Sequence, residues 1–284
     1  MPDPGRIATG TPTESSKHSV LITGAAGKIG SVLRHALLPH CRLLRSSDIV
    51  GIQPLTRQEE SWPLDVQNLA DTKQAMKGID TVFHFGGLSM EDTWDAIRDV
   101  NINGTYNVYE AARCAGVRRI VFASSNHVVG FRQRDQVTGP DVPMRPDSRY
   151  GVSKVFGEAI GLLFADKYGI ETISLRIGQF RPRPTNKRML SLWLSERDMA
   201  DLAVRCLFAT DIRYEIVYGV SGNDRSWYSN PGAGRIGFFP KDNAETYFPT
   251  LSPEDMQENH IEARFQGGPF CLDEMVANGE RQRG

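Results

Sequence analysis

Ser19-Val20-Leu21-Ile22-Thr23-Gly24-Ala25-Ala26-Gly27-Lys28-Ile29-Gly30 is the stretch that decides the fold. Its first five residues are apolar or β-branched and read as a buried parallel strand. The glycines that follow at once have GxxGxxG spacing. Lys28 to Leu38 then carries helical periodicity, which Pro39 ends. Such glycines permit a tight turn and let the backbone approach a pyrophosphate, while the helix N-terminus supplies amide donors and a dipole. A glycine-rich loop alone is a weak signal. Here the strand before it and the helix after it are both readable.

The same alternation continues outward. Strands are expected at Arg42 to Arg45, delivering Asp48, then at Thr81 to Phe85, Arg119 to Ser124 and Glu171 to Ile177. Helices are expected at Leu69 to Met76, Trp94 to Ala115 and Tyr150 to Tyr168, with Gly116 and Gly169 as stops. Residues 130–149 read as a long loop. The fold class is therefore α/β: a Rossmann-type, doubly wound parallel sheet with a small C-terminal substrate-binding lobe. The expected division is a disordered tail at 1–17, one domain over 18–270 with its substrate lobe built mainly from 178–270, and a flexible tail at 271–284.

Composition excludes several classes. Lys plus Arg number 33 against 34 Asp plus Glu, so no basic field suggests nucleic acid. No apolar run approaches a membrane span, and residues 1–17 lack the apolar core of a signal peptide. Cys41, Cys114, Cys206 and Cys271 have no CxxC spacing. That argues against a metal or disulfide framework and fits a reducing, cytoplasmic setting.

The chemistry centres on Ser125 at a strand end and on Tyr150-Gly151-Val152-Ser153-Lys154. Residues i and i+4 share a helix face, and an ammonium beside a phenol favours the phenolate. A tuned phenol can act as a general base that takes a hydroxyl proton while a hydride leaves the carbon. Asp48 lies at the spacing of the acid that binds an adenosine ribose, which favours NAD over NADP, with Arg45 nearby as a complication. Asp65 reads equally as an adenine-edge residue or a helix N-cap. Asn101 reads as a buried brace and relay anchor or as a plain structural amide. His127 is either a polar substrate contact or a loop histidine. For an anion, Arg188 stands undistinguished beside Arg181, Arg183 and Lys187.

The glycine loop, the Ser-Tyr-Lys set and the Asn101 segment resemble the extended short-chain dehydrogenase/reductase superfamily. Within it the chain resembles the uronate dehydrogenases. The likeness runs through Phe85-Gly86-Gly87-Leu88-Ser89, Ser124-Ser125-Asn126-His127, Arg145-Pro146-Asp147, Arg176-Ile177-Gly178, Arg188-Met189-Leu190-Ser191 and Arg264-Phe265-Gln266-Gly267-Gly268. The resemblance implies NAD-dependent oxidation of the anomeric carbon of galacturonate and glucuronate to an aldarolactone. Tyr150 would be the base and Lys154 its partner on the nicotinamide ribose. Ser125 would bond the anomeric oxygen, Ser89, Asn126 and His127 would meet sugar hydroxyls, and Arg188 would take the carboxylate. The cofactor face would comprise Gly24, Gly27, Lys28, Ile29, Gly30, Asp48, Ile49, Asp65, Val66, Phe85, Gly86, Gly87 and Ile177, together with Tyr150 and Lys154. A homo-oligomer is expected. Gln179-Phe180 departs from the family, which usually has a small residue there. The competing functions are an NAD-dependent glucose-6-phosphate dehydrogenase, a sugar-nucleotide epimerase or dehydratase, and a non-catalytic NAD-binding protein.

Overall fold

The computed structural model describes residues 18–274; the tail expected at 1–17 and residues 275–284 lie outside the described residues. In chain order the first half runs β1 (His18–Thr23), α1 (Lys28–Leu37), β2 (Cys41–Asp48), β3 (Glu59–Pro63), α2 (Leu69–Ala75), β4 (Thr81–His84), α3 (Trp94–Ala96), α4 (Gly104–Ala115) and β5 (Arg119–Ser125). The second half runs α5 (Arg149–Tyr168), β6 (Glu171–Ile177), β7 (Gln179–Phe180), α6 (Met189–Leu192), β8 (Trp193–Leu194), α7 (Glu196–Phe208) and β9 (Tyr214–Gly219), followed by short helical turns.

Seven strands form one sheet in the order β3-β2-β1-β4-β5-β6-β9, and all six pairings are parallel. Burial on both faces explains the apolar strands. Val20, Ile22, Phe83 and Val121 point to one side, where α1 and α7 cover them with Leu33, Leu37, Met199 and Leu202. Leu21, Val82 and Ile120 point to the other, against Ala75, Val108, Tyr109 and Phe164 of α2, α4 and α5. Gly116 and Gly169 stop α4 and α5 in the left-handed conformation, as the sequence leads one to expect.

Four features differ from the sequence expectation. β3 reads Glu59-Glu60-Ser61-Trp62-Pro63; as an edge strand paired only with β2, it needs no apolar run. The single helix expected over 94–115 has a π-helical segment, Ile97–Asn103, between α3 and α4. Past residue 178 the chain also returns to the main sheet. β9 completes the main sheet beside β6 and α7 packs with α1, so the lobe is left with β7, α6, β8 and the chain from Val220 onward. At the C-terminal end, Cys271 is 1% exposed and Glu274 pairs with Arg149, so packed chain continues past the expected limit of 270.

Candidate active site

The crevice at the carboxyl ends of the strands gathers the residues expected to face a cofactor. Gly24 to Gly30 follow β1, Asp48 and Ile49 lie at the end of β2, and Asp65 and Val66 follow β3. Phe85, Gly86 and Gly87 follow β4, and Ile177 ends β6. The glycine loop packs backbone to backbone. Gly24 has φ +73°, and a Cβ there would lie 2.6 Å from the Phe85 carbonyl; at Gly30 it would lie 2.1 Å from the Gly24 oxygen. Asp48 reaches across the loop and accepts from the Ala26 N–H at 3.0 Å. Arg45 is turned away: its Nη1 donates to the Ala75 and Lys77 carbonyls at 2.7 and 3.0 Å, and its Nε and Nη2 hold Glu60. A backbone cradle with a carboxylate over it fits a dinucleotide whose ribose is unphosphorylated. Asp65 is exposed and accepts from Gln67, while Asn68 caps α2, which removes the N-cap reading of Asp65.

Sequence reasoning missed the histidine behind this cradle. His84 is buried, with Nδ1 2.8 Å from Thr23 Oγ1 and Nε2 3.2 Å from Thr105 Oγ1. Burial, aided by the charge of Lys154, pushes its imidazole down to about 3, so it stays neutral. Thr23 Oγ1 in turn accepts from the Gly86 N–H at 3.1 Å. One neutral ring thus ties β1, the segment after β4 and α4 together.

Ser125 ends β5, and Tyr150 and Lys154 lie one turn apart at the start of α5, all three buried. The helix begins there because Ser148 caps the Gly151 N–H at 2.9 Å. Glu91, a residue the sequence did not single out, accepts from the Tyr150 and Arg149 N–H groups at 2.8 and 3.1 Å. Lys154 Nζ lies 5.5 Å from the Tyr150 ring centre. The expected lowering of the phenol by this ammonium is not met in the protein alone. Burial pushes Tyr150 up to about 12, with the Ser125 hydroxyl pulling the other way, and burial pushes Lys154 down to about 8. Desolvation disfavours both charged forms and is the largest cause at each.

Asn101 lies in the π-helical segment, a feature that often marks functional sites. Its Oδ1 accepts from the Leu88 N–H at 2.8 Å, and its Nδ2 donates to the Leu88 carbonyl and to Ser153 Oγ at 3.0 and 3.1 Å. It therefore fixes the segment after β4 against the helix that bears Tyr150.

The residues expected to meet a substrate converge on the same end of the sheet. Asn126 and His127 form the turn directly after Ser125 and are buried. With its amide oriented to satisfy both neighbours, Asn126 donates to the Ile177 carbonyl at 3.1 Å and accepts from Arg188 Nη2 at 2.9 Å. Arg188 is 6% exposed, and its Nε donates to the Gln266 carbonyl at 2.8 Å. Burial holds its guanidinium below the usual arginine range. His127 Nδ1 lies 2.7 Å from Asp147 Oδ2, and the Phe270 ring covers the imidazole at 3.9 Å. Ser89 is exposed on the loop after β4. Gln179 sits in β7, in register with Trp193, half-buried at the lobe edge.

The sequence profile of the NAD dependent epimerase/dehydratase family matches residues 20–203. The chain belongs to this family, and the parallel sheet and strand-end crevice described above are its architecture. Within it, the chain is 40% identical to a uronate dehydrogenase of Pseudomonas syringae, over 93% of this chain and 97% of that protein. It is 42% identical to that of Agrobacterium fabrum, over 88% and 96%. A crystallised variant of uronate dehydrogenase from Agrobacterium tumefaciens, complexed with NAD, superposes with a TM-score of 0.85 at 40% identity, covering 90% of this chain and 97% of that one. The protein is thus an NAD-dependent oxidoreductase of the uronate dehydrogenase group. Among the described residues, no helix is long and apolar enough to cross a membrane.

Proposed function

We propose that the protein oxidises the anomeric carbon of a hexuronate, galacturonate or glucuronate, to the aldarolactone, with Tyr150 as general base. One observation carries the reading. Arg188 is a buried guanidinium with a carbonyl and an amide as partners and, among the described residues, no carboxylate within ion-pair distance. Buried charges are paired as a rule, and a substrate carboxylate supplies the missing partner.

The chain's residues then divide the work. Arg188 holds the acid end of the sugar by a charge-assisted fork, which fixes the distance to the far carbon. Ser125 and Tyr150 flank the anomeric hydroxyl, and Tyr150 takes its proton. Lys154 tunes Tyr150 and holds the ribose. NAD, when bound, supplies the hydride acceptor.

A phosphate in place of the carboxylate is the second reading. The chain is 34% identical to an NAD-dependent glucose-6-phosphate dehydrogenase of Haloferax volcanii, over 84% of this chain. Arg181 and Arg183 are exposed a few residues before Arg188, but Lys187 lies 3.4 Å from the Glu258 carboxylate and is already matched. The test is NADH formation with NAD, and in parallel with NADP, on galacturonate, glucuronate, glucose 6-phosphate and glucose. Turnover on the uronates with NAD supports the reading; turnover confined to glucose 6-phosphate replaces it. Arg188→Ala is expected to lower kcat/KM on the uronates by about 100-fold or more, with NAD affinity retained.

A further inference from the structure

We infer that Asp147 is a positioning residue that fixes the tautomer of His127, so that Nε2 carries the lone pair and accepts a hydrogen bond from a sugar hydroxyl. The inference rests on the proposed sugar pocket for its consequence, but not for its geometry. The two Asp147 oxygens do different things. Oδ2 meets His127 Nδ1 at 2.7 Å, and Oδ1 accepts from Ser148 Oγ at 2.9 Å. Ser148 Oγ in turn accepts from the Gly151 N–H and caps α5. One carboxylate therefore joins the pocket imidazole to the helix that presents Tyr150.

A carboxylate can only accept, so Nδ1 must hold the hydrogen and a neutral ring must leave Nε2 bare. The ring is kept from a second proton mainly by burial, which outweighs the pull of Asp147 and Glu91. Asp147 itself has no freedom to turn. Its side chain is fully buried, and a Cβ on Gly130 or Gly267 would lie 1.7 or 1.9 Å from Oδ2. The Phe270 ring lies over the imidazole, centres 3.9 Å apart and planes tilted by 31°, and crowds its rotation. A histidine locked as an acceptor rewards a substrate that offers a hydroxyl hydrogen there and leaves an unmatched lone pair with one that does not.

Nitrogen-15 NMR of histidine-labelled protein at pH 7.5, with NAD and without sugar, reads the tautomer of His127 directly. A signal for Nδ1–H with bare Nε2 is expected; an Nε2–H tautomer or an imidazolium overturns the inference. In Asp147→Asn, the KM for the uronate is expected to rise about ten-fold while the NAD dissociation constant changes less than two-fold. An unchanged KM, or a parallel loss of NAD binding that marks a purely structural role, also overturns it. If the wild-type protein turns over no uronate, the pocket assignment has failed, and the NMR result still judges the tautomer.

Discussion

Tyr150 and Lys154 pose the sharpest question at the scale of single residues, since burial drives both towards their neutral forms. Tyr150→Phe removes only the acidic hydroxyl, so turnover should fall by about a thousand-fold or more while NAD binding stays near normal; NADH formation and calorimetric titration measure the two separately. Lys154 lies 8% exposed, with no carboxylate at ion-pair distance among the described residues. Its charge opposes folding, because its pKa falls from 10.5 unfolded to about 8 folded. Between those values the unfolded chain binds more protons, so this contribution makes the protein more stable as pH rises through that window. Below about 8 the cost is fully present. Lys154→Met should therefore raise Tm at pH 7 by about 2–4 °C while abolishing turnover. A lower Tm in the variant would mean that the ammonium has a partner that offsets its burial.

At the scale of elements, α5 shows why the site was partly legible and partly not. Tyr150, Lys154, Gly157, Gly161 and Phe164 form its buried face, so the face turned to the sheet is largely small or polar and gives little apolar periodicity. The helix was readable from its Gly169 stop and the Tyr-Lys spacing instead. A Cβ on Gly157 would meet the Phe122 ring at 2.0 Å. Gly157→Ala should push α5 off β5, lowering Tm and cutting kcat more than the affinity for NAD; thermal melts with steady-state kinetics would show it. A variant with wild-type kcat would mean that the helix has slack. The residues to which the sequence assigned no role share one property. Glu91, His84, Asp147 and Gln266 act through partners distant in sequence, as with Gln266, whose amide reaches the loop carbonyls of Gln133 and Gln136 at 3.1 Å. Local pattern carries no trace of such pairs. Arg188 is a related case: the loop spacing could not separate it from Arg181, Arg183 and Lys187, and burial does.

The whole molecule divides its labour along the chain. The glycine cradle, β1 to β6 and α5 form the side proposed for the cofactor, and these are the parts whose strand–turn–helix rhythm sequence alone exposes. The side proposed for the sugar is closed by late-arriving chain: Gln266 on Arg188, Phe270 on His127, Cys271 under Asp147 and Glu274 on Arg149. None of these belongs to a long regular element. Ending the chain after Gly267 removes Phe270 and the ion pair to Arg149 without touching the sheet. Such a truncation should keep NAD affinity within a few-fold and raise the uronate KM by about ten-fold or more. Fluorescence titration of NAD against kinetics on the uronate separates the two; loss of NAD binding would show that the closing segment supports the entire domain.

That closing segment has a consequence for damaged molecules. An enzyme clipped near Phe270 would not simply drop out of the working pool. It would go on binding dinucleotide while needing far more sugar to turn over, so proteolytic wear would leave copies that still take a share of the cofactor pool and return little work for it.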